Sequence, residues 1–147
     1  MGFYNAAARV VGTPNVTSPP ICDVKAFAPT GTKLTELTVI TAINNAINFL
    51  GLGRSSAELL QIAPANFLAT ETVDLISTTT FGTAWSSAPA IPTNIFRRIT
   101  PQAQGGTGVI WSFPRGLTIP SLGSIILFYT PLTGQTNPYD VSAEIEE

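Results

Sequence analysis

The chain has no histidine, one cysteine, and only seven lysines and arginines among its 147 residues. The missing histidine removes the Ser-His-Asp and Cys-His nucleophile arrangements and the common imidazole metal sites. A lone Cys22 forbids an intrachain disulfide, so a small disulfide-stapled scaffold is excluded. Asp23 beside it disfavours a thiolate, and Cys22 reads as a small hydrophobe rather than a nucleophile. Nucleic-acid binding needs a clustered basic face that displaces counterions. Here Arg97-Arg98 is the only basic pair and the formal net charge is −2, so nucleic acid is not an expected partner.

Long uninterrupted apolar runs are also missing. The most apolar stretch, "WSFPRGLTIPSLGSIILFY" from Trp111 to Tyr129, is broken by Pro114, Arg115, Gly116, Pro120 and Gly123. Its longest clean piece, Ile125 to Tyr129, has strand length, whereas a membrane-spanning helix needs about 20 apolar residues. No membrane association is expected. The residues from Met1 to Asn5 lack the basic region and apolar run of a secretory signal.

Charged residues make up 11% of the chain, less than half the usual share of about 25%. Hydrophobic residues reach 44%, so Thr, Ser, Asn and Gln must supply most of the polar surface. Little charge on a chain of positive mean hydropathy suggests apolar surface covered by another subunit. Abundant threonine favours sheet, because β-branched side chains suit a pleated, half-buried surface. Twelve glycines and twelve prolines cut the chain into short pieces.

Residues 1–33 read as an extended N-terminal arm, since "TPNVTSPP" and "APTGTK" cannot sit in a central strand. Between them "ICDVKAF" alternates like an edge strand. Residues 34–147 read as the folded domain. "LTELTVI" alternates as a strand. In "TAINNAINFLGLG" the residues Ile40, Ile43, Ile47 and Leu50 fall at helical spacing, but Asn44-Asn45 favours a turn followed by a strand. "GLGRSS" reads as a turn; it lacks the further glycine or Gly-Lys of a phosphate-binding loop. Ser55 and Glu58 have capping-box spacing, which leaves a short helix, a turn or a strand open over Ser55 to Ala63. "TVDLIS", "IFRRIT", "VIWSF", "LTIP", "IILFYT" and "YDVSAEIEE" read as strands, with a Pro-Arg-Gly turn after Phe113. Strands every eight to twelve residues indicate an all-β, antiparallel, jelly-roll-like β-sandwich with at most one short helix.

Paired carboxylates could in principle hydrolyse glycosides. The candidates Asp23, Glu36, Glu58, Glu71, Asp74, Asp140, Glu144, Glu146 and Glu147 fall in loops or on polar strand faces, where solvation is the default reading. The chain is therefore expected to be no enzyme and to need no cofactor or metal. Trp111 lies mid-strand and reads as core, while Trp85, between threonine-rich loops, is the better candidate for touching a ligand or subunit.

"LTELTVITAINNAINFLGLGR", "GVIWSFPRGLTIPSLGSIILFYT" and the closing "YDVSAEIEE" together resemble small β-sandwich virion proteins of tailed bacteriophages, the head-decoration or cement proteins among them. The resemblance spans Leu34 to Glu147 and rests on a W-x-F-P-x-G-L turn, an apolar strand and a final acidic strand. It implies a homotrimer, made in the host cytoplasm, that binds the major capsid protein on the capsid exterior and steadies the head. In that reading Phe3, Tyr4, Val10, Val11, Val16, Ile21 and Trp85 contact capsid or neighbouring subunit, and loss of Met1 to Pro20 leaves a folded sandwich that attaches poorly. The alternative is a spike or tail-fibre module that recognises a host glycan or receptor through loops near Trp85 and Gly105-Gly106.

Overall fold

The alternation of "YDVSAEIEE" carries directly into structure: Tyr139, Val141, Ala143 and Ile145 are buried, and the residues between them face outward. The computed structural model describes residues 2–11, 20–29, 31–42, 47–70, 77–102, 104–131 and 138–147. Eleven strands are formed among them. In chain order they are β1 (Phe3–Val11), β2 (Pro20–Lys25), β3 (Thr32–Thr41), β4 (Ile47–Arg54), β5 (Ala65–Asn66), β6 (Leu68–Ala69), β7 (Thr80–Gly82), β8 (Ile95–Ile99), β9 (Gly108–Ile119), β10 (Ser124–Pro131) and β11 (Pro138–Glu146). No helix occurs among the described residues.

Every strand pair is antiparallel, and the strands form two sheets. One has the order β6-β1-β11-β3-β9, the other β5-β7-β2-β10-β4-β8. The eight longer strands alternate between sheets along the chain, β1 to β4 and then β8 to β11. That is the double Greek key of a jelly roll. The three short strands β5, β6 and β7 all come from one excursion, residues 55–94, between β4 and β8.

The core lies between the sheets. Leu34, Leu37, Val39, Trp111, Tyr139, Val141 and Ile145 of the first sheet meet Cys22, Val24, Leu50, Leu52, Ile125, Leu127 and Tyr129 of the second. The Tyr129 and Tyr139 rings pack at 5.0 Å between centroids. A second, smaller cluster forms on the outside of the second sheet. There Leu59 of the excursion covers Ile126 and Phe128, with Phe49, Trp85 and Ile91 around them. This is why β10 is apolar on both faces.

Several expectations change at this level. The expected extended arm over residues 1–33 is, in its described strands, part of the sandwich: β1 lies between β6 and β11, and β2 lies between β7 and β10. The single domain therefore includes them. In β1, Tyr4, Ala6 and Val10 point into the core, and Ile21 at the start of β2 is fully buried. Nor is β2 an edge strand, since residues Ile21 to Lys25 are buried without interruption. "GLGRSS" begins as strand, not as a turn. A Cβ on Gly51 would come within 2.5 Å of the Phe128 ring, and one on Gly53 within 2.7 Å of Pro92, so these glycines let the covering layer close.

The Pro-Arg-Gly turn is a bulge inside one continuous β9. Leu34 pairs with Leu117 and Glu36 with Ser112, which leaves Thr35 alone opposite residues 113–116. Gly116 sits there at φ +66°. The turn over Asn44-Asn45 and residues 72–76 of the strand expected over Thr72 to Ser77 lie outside the described residues, and Ser77 itself is not strand; the strand that follows that turn is β4.

Two outcomes follow from this packing. Trp111→Ala should lower the unfolding free energy by about 3–5 kcal/mol, the range for emptying a large aromatic core site, in denaturant titration. Deleting residues 1–20 removes β1 and opens the flank of β11, so the truncated chain should show no cooperative thermal transition by circular dichroism.

Candidate functional site

The second sheet is closed on its outer side by the chain itself, and the lock is polar. Asp23 in β2 points outward from that sheet yet has no solvent exposure. Its carboxylate accepts hydrogen bonds from Gln61 Nε2 at 2.9 and 3.0 Å and from Trp85 Nε1 at 2.8 Å. Gln61 in turn accepts from the Thr80 hydroxyl at 2.5 Å, and the backbones of Gln61 and Trp85 form a bridge. Two residues further along β2, buried Lys25 donates to Glu58 at 2.8 Å and to the Leu59 carbonyl at 2.7 Å. The same Nζ lies 4.8 Å from the centre of the Phe27 ring.

Burial pushes the Asp23 carboxyl up from its ordinary value, and Gln61, Trp85, Ser124 and the Lys25 charge only partly offset that. Burial, reinforced by Asp23, also raises the Cys22 thiol well above its usual range, which leaves the sulfur as packing. The spacing of Ser55 and Glu58 does not cap a helix. Ser55 Oγ instead bonds Ala57, and Glu58 is held by Lys25. Sequence reasoning treated Asp23 as a solvated strand carboxylate, because the residues that cover it lie about 40 and 60 positions away.

A similar tie holds the end of the chain. The Glu147 side chain accepts from the Ser77 hydroxyl at 2.6 Å, from the Thr78 hydroxyl, and from the Thr78 and Thr79 amides at 3.1 and 3.4 Å. Burial pushes its carboxyl up, but these bonds outweigh burial and hold it below its ordinary value.

The first sheet is different: the outward residues of β1, β11, β3 and β9 have no covering layer among the described residues. Alternation in β1 turns Phe3, Asn5, Ala7, Arg9 and Val11 outward. Cross-strand register then sets Ala7 beside Ser142, Ser142 beside Thr38, and Thr38 beside Ile110. These side chains are mostly short, so the face is a shallow, flat trough. Arg9 and Asp140 flank it as a directly opposed pair with two bonds of 2.7 Å. Arg9 holds the Asp140 carboxyl below its usual range. Ile40, Ile110 and Val11 are exposed on the same face, and Leu68 on β6 is exposed at its border.

One row along, Glu144 and Glu36 face each other across β11 and β3. Among the described residues, hydroxyls reach their side chains, from Thr35, Thr38 and Ser112 at 3.4 to 3.5 Å. No group of three or more carboxylate or thiol side chains is disposed to hold a metal ion among the described residues.

The residues expected to make contacts therefore separate. Phe3 and Val11 are exposed on the open face, whereas Tyr4, Val10 and Ile21 are core and cannot touch a partner in this fold. Val16 lies outside the described residues. Trp85 is half-buried over the closed sheet, where its indole N–H is spent on Asp23. The open face itself, with Ala7, Thr38, Ser142 and Ile110, was not singled out from sequence. Its signal is the outward set of each alternating strand, which becomes a surface only once the strand order is known.

No protein-family model, curated protein or solved structure matches the chain.

The lowered Glu147 carboxyl gives a pH test. Its stabilisation should be complete above the ordinary glutamate range near 4.5 and be lost as pH falls through the lower folded value. In denaturant titrations, Glu147→Gln should thus be less stable than wild type at pH 7 and close to it at about pH 3.

Proposed function

We propose that this chain is a structural subunit of a virion, a decoration or cement protein that stabilises a phage head by binding the major capsid protein from outside. Fold alone does not decide this, because jelly rolls serve viral shells, lectins and other tasks. The observation that carries the reading is the asymmetry between the sheets. One outer face is covered by Leu59, Trp85 and Ile91, while the other is a broad face of Ala7, Thr38, Ser142, Ile40 and Ile110 with no covering layer among the described residues. Flat, partly apolar sheet faces suit burial against another protein better than capture of a small ligand, which favours concave pockets.

The resemblance of the Leu34 to Arg54, Gly108 to Thr130 and Tyr139 to Glu147 segments to head-decoration proteins supports the same reading. A homotrimer is the oligomer this reading favours. The rival reading, a glycan-binding spike module, leaned on an exposed Trp85 as a stacking platform. With its indole N–H on Asp23 and its ring packed beside Ile126 and Phe128, Trp85 is a poor platform.

The test is cosedimentation of the purified protein with capsid shells assembled without it. Saturable binding at a fixed ratio to the capsid subunit is expected. Ile110→Asp, on the open face and away from the core, should weaken that binding at least tenfold without moving the melting temperature. Absence of any binding to shells, with affinity for host polysaccharide instead, would overturn the proposal in favour of the spike module.

A further inference from the structure

A chain this poor in charge makes its unpaired charges easy to follow. Three ion pairs form among the described residues, and they use Arg9, Lys25 and Lys33. The other four cations of the sequence are Arg54, Arg97, Arg98 and Arg115. None has a carboxylate within 4.0 Å among the described residues, and all four are exposed. They gather at one side of the sandwich, on β8, the adjoining end of β4 and the bulge of β9.

Three of these arginines are held over aromatic rings: Arg54 over Phe96 at 5.7 Å, Arg97 over Phe113 at 5.5 Å, and Arg98 over Phe49 at 4.0 Å. Stacking fixes a guanidinium in place but leaves its charge and its planar donor fork unneutralised. Because β8 bonds only β4, this rim is also a sheet edge.

The complementary deficit lies on the other sheet. Asp140 and Glu146 on the open face are paired with Arg9 and Lys33, but Glu36 and Glu144 are opposed to each other with no cation within 4.0 Å among the described residues. Like charges directly across a ladder destabilise it, so the pair is a cost to the isolated chain. Apolar side chains accompany both patches, Ile95 on the rim and Ile40 with Ile110 on the face. Within one chain no arginine of the rim comes within 4.0 Å of Glu36 or Glu144 among the described residues.

We infer that the arginine rim of one copy docks on the open face of the next, with Arg97 and Arg98 supplying the charge that Glu36 and Glu144 lack. A second copy of this chain thus takes the Glu144 and Glu36 row of the open face, and the neighbouring rows of Ala7, Thr38 and Ile110 and of Arg9 and Asp140 are left for the capsid contact. The two patches are different, so the contact is heterologous and runs head to tail, closing as a ring where the rotation allows. This deepens the assembly reading above by naming the surfaces through which copies meet. It also buries an exposed strand edge, which otherwise invites irregular association.

The experiment is native mass spectrometry with sedimentation velocity across a concentration series of the full chain. The wild type should associate at low salt and weaken at about 1 M salt, where the screening length falls to about 3 Å. Glu36→Arg with Glu144→Arg, and separately Arg97→Glu with Arg98→Glu, should each lower the association constant at least tenfold. Mixed in equal amounts, the two reversed proteins should reassociate, because each then offers the partner of the other's altered patch. Thermal melts check folding, and Glu36→Gln with Glu144→Gln replaces the first pair should its reversal fail to fold, with the same direction of change expected.

A wild type that stays monomeric throughout, a rim reversal that leaves the mass unchanged, or a folded mixture that stays monomeric would each overturn the inference. Shell cosedimentation separates this from the proposed function. Loss of self-association with shell binding intact defeats only the interface, and the reverse result defeats only the capsid reading.

Discussion

The carboxylate of Asp23 is the constraint around which the molecule is arranged. A charge fully buried against the outside of a sheet is costly unless it is hydrogen-bonded, and the cost falls on the whole fold if its partners leave. Its partners, Gln61 and Trp85, both belong to the excursion between β4 and β8. Lys25 draws Glu58 and the Leu59 carbonyl to the same place, and that contact sets the Leu59 side chain on Ile126 and Phe128. Polar specificity and apolar burial therefore reinforce each other: the bonds choose where the excursion lies, and the covered phenylalanine and isoleucine make staying there favourable. Leu59, Gln61, Trp85 and Ile91 of the excursion lie over the second sheet and only β6 joins the edge of the first, whose outer face has no covering layer among the described residues.

Charge is distributed in keeping with that division. On the closed sheet the charged groups of β2, Asp23 and Lys25, are buried and matched by named partners, while Arg54, Arg97 and Arg98 stand exposed at its β4–β8 edge. On the open sheet the opposed Arg9 and Asp140 hold each other in place across β1 and β11. Such an exposed pair does little for stability in water. What it can do is fix register and present a defined pattern to a partner. A surface with so few charges gains selectivity from where each is placed, since like-charge contacts from the wrong approach are not diluted by many others.

Much of the sandwich was legible because period-two alternation survives wherever one face is buried and the other is wet. The strands β3 and β11 show this plainly, as does the double-sided burial read from "IILFYT". The errors share one physical origin. In β2, Asp23 and Lys25 alternate with Cys22 and Val24 just as solvent-facing residues would, so the strand looked like an edge. The alternation was real, but what faced the charges was protein. "FYNAAARVV" alternates too, yet the prolines downstream drew the segment into an arm. Of those prolines, Pro20 is the first residue of β2, a strand position that tolerates proline, and the others lie outside the described residues. The glycines of "GLGRSS" signalled close approach rather than a turn, a distinction that needs Phe128 and Pro92 in view.

The open face is built by strands from opposite ends of the described chain, with β1 paired to β11 along its full length and β3 completing the trough. The ends of that pair are joined by backbone bonds between Gly2 and Glu147, and the Glu147 side chain ties them to Ser77, Thr78 and Thr79. Any load on the face is thereby passed to strands anchored both to each other and to the far end of the excursion. The same arrangement makes the face and the Asp23 lock parts of one mechanical unit: loosening the excursion would free its grip on Glu147 and soften the open sheet.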